Sequence, residues 1–169
     1  MTSLVVVESS FGNTRAVAEA ITEGLGPDTV LVDVGEAPGD LSGFDLVVVG
    51  GPTHAFGMSR PSTREDAARQ AGHEPSGGPG IREWIAALPR PAGGTDRPVR
   101  VATFDTRVAR VRHLPGSAAK GAAKALAGHG YARLGRPTSF YVSDTPGPLL
   151  DGEADRARAW GTDLARLPG

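Results

Sequence analysis

The sequence predicts an α/β fold: a three-layer α-β-α sandwich around a five-stranded parallel sheet, in a single domain of residues 1–169. Three observations predict it. An apolar, mostly β-branched run at 4–7 breaks into the turn Ser9-Ser10-Phe11-Gly12-Asn13-Thr14, and then into a helical period carried by Val17, Ala20, Ile21 and Leu25. Strand and helix patterns alternate from there on, as parallel strands joined by right-handed crossovers require. The segments that follow the first, third and fourth strands all leave the sheet at its carboxyl edge, where α/β folds bind ligands.

The first strand, 4–7, is continuous and apolar because a central parallel strand is covered on both faces. After the first helix, Gly24-Leu25-Gly26-Pro27 is a stop, and 29–34 reads as the second strand. The stretch 35–41 has room for a short helix at most before the third strand, 44–50. Ser62-Thr63-Arg64-Glu65 matches a capping box, which predicts a short helix over 65–71 and a Gly- and Pro-rich loop over 72–80. That insertion is long for a βα connection, and such connections are often lids or binding loops. Helical spacing returns at 81–88; a linker at 89–98 leads into the fourth strand, 99–104. A small-residue helix lies within 116–130, the last strand is 138–142, and an amphipathic helix at 152–167, with Ala157, Trp160 and Leu164, closes the chain.

Composition narrows the function. The chain of 169 residues has a net charge of −1, so no field for nucleic acid is evident. It contains no Cys, which excludes disulfides, a thiolate nucleophile and cysteine-ligated clusters. No apolar run approaches the roughly 18 residues of a membrane span, and no basic leader precedes the first strand, so the chain reads as cytoplasmic. No His, Asp or Glu arrangement has metal-ligand spacing, and Ser9 has no His-Asp partners for nucleophilic hydrolysis.

The first turn places backbone N–H groups and the positive end of a helix around one anion. Ser9, Ser10 and Thr14 add hydroxyls, and Gly12 permits close approach of the backbone. The ordinary alternative is a βα turn with Asn13 or Ser10 as helix cap. Neither G-x-x-x-x-G-K-[ST] nor G-x-G-x-x-G is present. Ser9-Ser10-Phe11-Gly12-Asn13-Thr14 resembles the FMN-phosphate loop of the flavodoxin-like family, with Phe11 where short-chain flavodoxins carry a hydroxyl and quinone-reductase relatives carry an aromatic. The resemblance implies the strand order 2-1-3-4-5, with the first and third strands flanking the switch point. It also implies FMN as cofactor, and a redox partner protein or NAD(P)H as partner of a monomer or small homo-oligomer.

The segment Pro52-Thr53-His54-Ala55-Phe56-Gly57 then faces the same crevice as the phosphate loop. His54 and Phe56 have rings that stack on a flat apolar group, and Ala55 and Gly57 bring backbone close to its polar edge. By resemblance this segment and Phe104-Asp105-Thr106-Arg107 correspond to the two loops that sandwich the flavin ring, and Asp105 and Thr106 leave one ring face open. His54 reads as either a hydrogen-bonded packing residue or a catalyst, and Met58 as loop packing. Arg107, Arg110 and Arg112 suit an anionic partner, the phosphates of NAD(P)H, or a solvated loop. Two functions stay open: an FMN-binding protein of electron transfer or NAD(P)H oxidation, and a binding or regulatory module without turnover.

Overall fold

The computed structural model describes residues 1–74, 77–91 and 98–167. Strand β1 (Ser3–Val7) is buried at every position; β2 (Thr29–Asp33) and β3 (Leu46–Pro52) pair with it in parallel on either side. Strand β4 (Arg100–Val108) pairs with β3, and β5 (Ala132–Arg133) and β6 (Thr138–Val142) both pair with β4. The order is β2-β1-β3-β4 followed by a fifth position shared by two segments, so the order 2-1-3-4-5 holds with its last member in two pieces. Ala132 and Arg133 lie beside Arg100 and Val101, whereas 138–142 lie beside 104–108.

Alternation along β1 builds the two cores. Val5 and Val7 face α1 (Asn13–Leu25) and α5 (Glu153–Arg166), together with Val48, Phe104 and Phe140. Leu4 and Val6 face the other layer, where α3 (Ile81–Ala87) contributes Trp84 and Ile85 and α4 (Ala118–His129) contributes Leu126. In the first core Phe104, Phe140 and Trp160 meet edge to face at centroid separations of 6.0–6.4 Å, worth about 1 kcal/mol per pair beyond their buried area. Gly161 is required where α5 crosses α1, because a Cβ there would collide with the Ile21 carbonyl oxygen.

The elements differ from the sequence expectations at their ends, each for a local reason. Helix α2 spans Pro61–Ala71 and starts before residue 65, with Pro61 at its first position, where a missing N–H costs nothing. Its cap is also earlier than the expected Ser62–Glu65 box: Arg60 N–H donates to Thr63 Oγ1 at 2.9 Å. Strand β4 runs to Val108 because Gly51, Pro52 and 138–142 continue to offer partners, so 105–107 are strand and not loop. The stretch after β2 forms one short helical turn, Val34–Glu36. Most of the linker expected at 89–98, and part of the loop at 72–80, lie outside the described residues. Among the described residues no helix is long and apolar enough to cross a membrane, and no group of three His, Cys, Asp or Glu is placed to hold a metal.

Candidate functional site

The turn between β1 and α1 gathers unpaired backbone N–H groups at the start of a helix. Gly12 lies at φ 90°, in the left-handed region that favours glycine, and as the N-cap residue gives no side chain to the helix of 13 residues that follows. The backbone N–H groups of Ser10, Phe11, Asn13 and Thr14 donate to no acceptor among the described residues. They cluster at the positive end of α1. Ser9 Oγ closes the turn, accepting from Gly12 N–H at 3.2 Å and Arg15 N–H at 3.3 Å. The buried Thr14 hydroxyl shares a 2.7 Å hydrogen bond with the Thr106 hydroxyl, which ties the turn to β4. Asn13 Nδ2 donates to the Pro146 carbonyl at 3.2 Å, which ties it to the loop after β6.

Beside this turn a crevice opens across the carboxyl ends of the central strands. Its walls are Ser10, Phe11, Asn13 and Thr14 from the turn, Pro52, Thr53 and His54 from the end of β3, Thr106, Arg107 and Val108 from β4, and Val142 and Thr145 from beyond β6. Counting its open mouth and the solvent in it, the crevice encloses about 430 Å³. The expected turn, β3 end and β4 end therefore meet at one place.

Other candidate residues lie elsewhere. Phe104 is 1% exposed and packed over Gly50, where any Cβ would strike its ring, so it belongs to the core and not to the crevice wall. Asp105 is fully buried and directed to α4: its Oδ2 accepts from Ala119 N–H at 2.9 Å and from Thr53 Oγ1 at 3.1 Å. Thr53 Oγ1 in turn accepts from Ala118 N–H at 2.9 Å. Asp105 is thus a brace that fixes the end of β3 against the start of α4. Ser9 and Gly12 support the turn from outside the crevice wall.

Ala55, Phe56 and Gly57 belong to a small hairpin in which His54 and Gly57 exchange backbone hydrogen bonds of 2.9 and 3.0 Å. Its two-residue tip needs positive φ at both positions, and Ala55 (45°) and Phe56 (66°) supply it without glycine, a strained arrangement. Phe56 is 53% exposed and stands outside the crevice wall.

Two groups set the charge of the crevice. Arg107 is 6% exposed and has no carboxylate partner among the described residues; its Nη2 donates to the carbonyls of Val111 at 2.9 Å and Leu114 at 3.2 Å, and its buried Nε has no partner. An enclosed cation held only by carbonyls favours a negative or electron-rich neighbour. Burial holds His54 below the usual histidine range, and Arg64 acts in the same direction while Glu8 opposes it. Glu8, which the sequence reading passed over, is buried at the end of β1 and accepts from Ile81 N–H at 2.9 Å. Val108, Val142 and Thr145 were also missed as wall residues. The position of 142–145 at the carboxyl end of the last strand was the signal available for two of them.

No family model and no curated protein matches the chain. Solved structures do. A flavodoxin from the domain Archaea is 19% identical, with 98% of this chain and 96% of that chain covered at a TM-score of 0.62. Two-electron reduced flavodoxin from Megasphaera elsdenii is 14% identical, with 98% of this chain and 99% of that chain covered, at 0.58. A flavodoxin, WrbA-like protein from Agrobacterium tumefaciens is 19% identical over 96% of this chain and 94% of that chain, at 0.55. Similarity of this kind concerns architecture, and together with the parallel order 2-1-3-4-5 it identifies the chain as a flavodoxin-like fold.

Proposed function

We propose that this chain binds FMN in the crevice and serves in electron transfer or as a small NAD(P)H-dependent oxidoreductase. The observation that carries the reading is the set of unpaired N–H donors of Ser10, Phe11, Asn13 and Thr14 at the end of α1, adjoining a crevice at the switch point between β1 and β3. These donors and the Thr14 hydroxyl fit a terminal phosphate, and the positive charge of Arg107 at the crevice wall suits an electron-rich ring. Flavodoxins among the similar structures support the same class.

In this reading Ser10, Phe11, Asn13 and Thr14 hold the phosphate, while Pro52, Thr53, His54, Thr106, Arg107 and Val108 line the place of the ring. FMN, when bound, supplies one- or two-electron redox chemistry, and the protein supplies position and field. The Asp105–Thr53 brace keeps the end of β3 in place, and Arg107 keeps a positive charge beside the crevice. His54, held largely neutral by burial, is available to accept or donate one hydrogen bond.

A second reading, a binding module without turnover, is favoured by Ser9 alone. Its hydroxyl already satisfies Gly12 N–H and Arg15 N–H, two donors that would otherwise be open to a phosphate. Titration of the purified protein with FMN and with riboflavin separates the two. Four free donors and a helix end predict that FMN binds about 100-fold more tightly than riboflavin, or about 2.7 kcal/mol. Equal affinities would reject the phosphate role of the turn, and no binding of either would favour the module.

A further inference from the structure

The mouth of the crevice has a charge unlike that of the chain as a whole. The segments 53–60 and 106–117 contain Arg60, Arg107, Arg110 and Arg112 and no Asp or Glu, in a chain whose net charge is −1. Arg60 and Arg112 are exposed, and neither has an ion pair among the described residues; Arg112 Nε instead donates to His113 Nε2 at 3.1 Å. Arg110 is paired with Asp144 at 3.1 Å, so that acid is already engaged. Set in this positive field are two apolar side chains, Phe56 at 53% and Leu114 at 44% exposure. They belong to one surface, because the backbone of Phe56 lies directly against Gly116, where a Cβ would collide with the Phe56 carbonyl.

Exposed aromatic and aliphatic anchors beside unpaired arginines have the composition of the centre of a protein interface. A dinucleotide phosphate would use the arginines and leave Phe56 and Leu114 without a role. We infer that this face, built from the hairpin tip at 54–57 and the turn at 110–116, docks a partner protein through an acidic patch with an apolar centre. Complementary charge would steer the partner to the mouth, and the two anchors would hold it there. The inference rests on the flavin reading only for its purpose, since docking at the mouth brings a redox partner to the ring; the surface itself is independent of FMN.

The test uses the isotope-labelled full chain, with and without FMN, and three peptide probes followed by amide chemical shifts: a Glu-rich peptide carrying leucines, the same peptide with serine in place of leucine, and a Lys-rich peptide of equal length. The expected result is binding of the Glu/Leu peptide, with shifts concentrated at 54–57 and 110–116. The serine version should bind severalfold more weakly, the Lys-rich peptide should not bind, and salt at about 0.3 M should abolish binding. Arg112→Glu should weaken the Glu/Leu peptide about tenfold. Equal binding of the Lys-rich peptide, or shifts centred elsewhere, would overturn the inference, as would unchanged affinity in Arg112→Glu. Displacement of the peptide by equimolar NADPH would also overturn it, by assigning the arginines to a dinucleotide phosphate. A chain that binds the peptide but not FMN would remove the flavin reading and keep the docking surface; one that binds FMN without responding to the peptide would do the reverse.

Discussion

The two ends of the crevice are made in different ways. At the end proposed for the phosphate, Ser9 reaches Gly12 and Arg15, residues three and six positions on, so the turn is built largely by its own sequence. At the end proposed for the ring, Asp105 joins Thr53 across 52 positions, Thr53 reaches Ala118 across 65, and Asp105 reaches Ala119 across 14. Only the folded sheet brings these groups together. A locally built loop should be tolerant of changes elsewhere and sensitive to changes within itself; a loop braced across the fold should couple ligand binding to global stability.

That contrast is broken most severely at Asp105. Asp105→Ala removes the acceptor shared by Thr53 and the start of α4, and is expected to cost about 3 kcal/mol of folding stability, measured by denaturant unfolding. Asp105→Asn, which keeps one acceptor, should cost less. If Asp105→Ala unfolds at the wild-type midpoint, the ring end does not depend on this brace.

The next effect sharpens the contrast through charge. For a flavin ring about 8 Å from Arg107, the guanidinium stabilises one added negative charge by about 2 kcal/mol at an effective dielectric of 20, or about 45 mV for a two-electron couple. Arg107→Gln should lower the midpoint potential of bound FMN by that order while leaving FMN affinity within about threefold. A potential that does not move would place the guanidinium's field away from the ring.

At the phosphate end the expected effect is smaller and confined to the ligand. Gly12→Ala meets open space but must adopt φ 90°, a cost of about 1 kcal/mol. FMN should weaken roughly fivefold, with riboflavin unaffected. Equal weakening of both ligands would show that the turn senses the ring as well as the phosphate.

The smallest effect is the dependence on pH of His54. Burial lowers its folded-state value below the unfolded one, so the unfolded chain binds the proton more readily. Its contribution to stability is therefore fully present above the unfolded value of about 6.5 and is lost as pH falls toward the folded value. Unfolding midpoints at pH 7.5 and 5.5 should differ less in His54→Gln than in the wild type; an identical difference would assign the pH dependence to other groups.

The same division explains what could be read before folding. The strands at 4–7 and 138–142, the helices and the parallel order follow from runs and periods that the chain carries locally. Phe104 was read as a neighbour of the ring because it stands at the expected end of its strand, but Gly50 opposite leaves space that only a large ring fills, and that space pulls it into the core. Asp105, 52 positions from its partner Thr53 at the end of the neighbouring strand, reads as a loop residue for the same reason: the pairing that extends β4 to Val108 is not written near residue 105. The strained tip at Ala55 and Phe56 carries no Asn-Gly signal, so the hairpin was not legible either.

The division of the last sheet position between β5 and β6 also bears on how the protein behaves when crowded. A long, regular outer strand offers an unbroken row of N–H and C=O groups to which another chain can add. Here the outer margin consists of two residues, a break at 134–137, and five more, so an incoming strand would find no continuous template. The interruption beside β4 thus works as a guard against sheet-to-sheet association, and a shortened variant that joins β5 to β6 should be the form most prone to self-assembly.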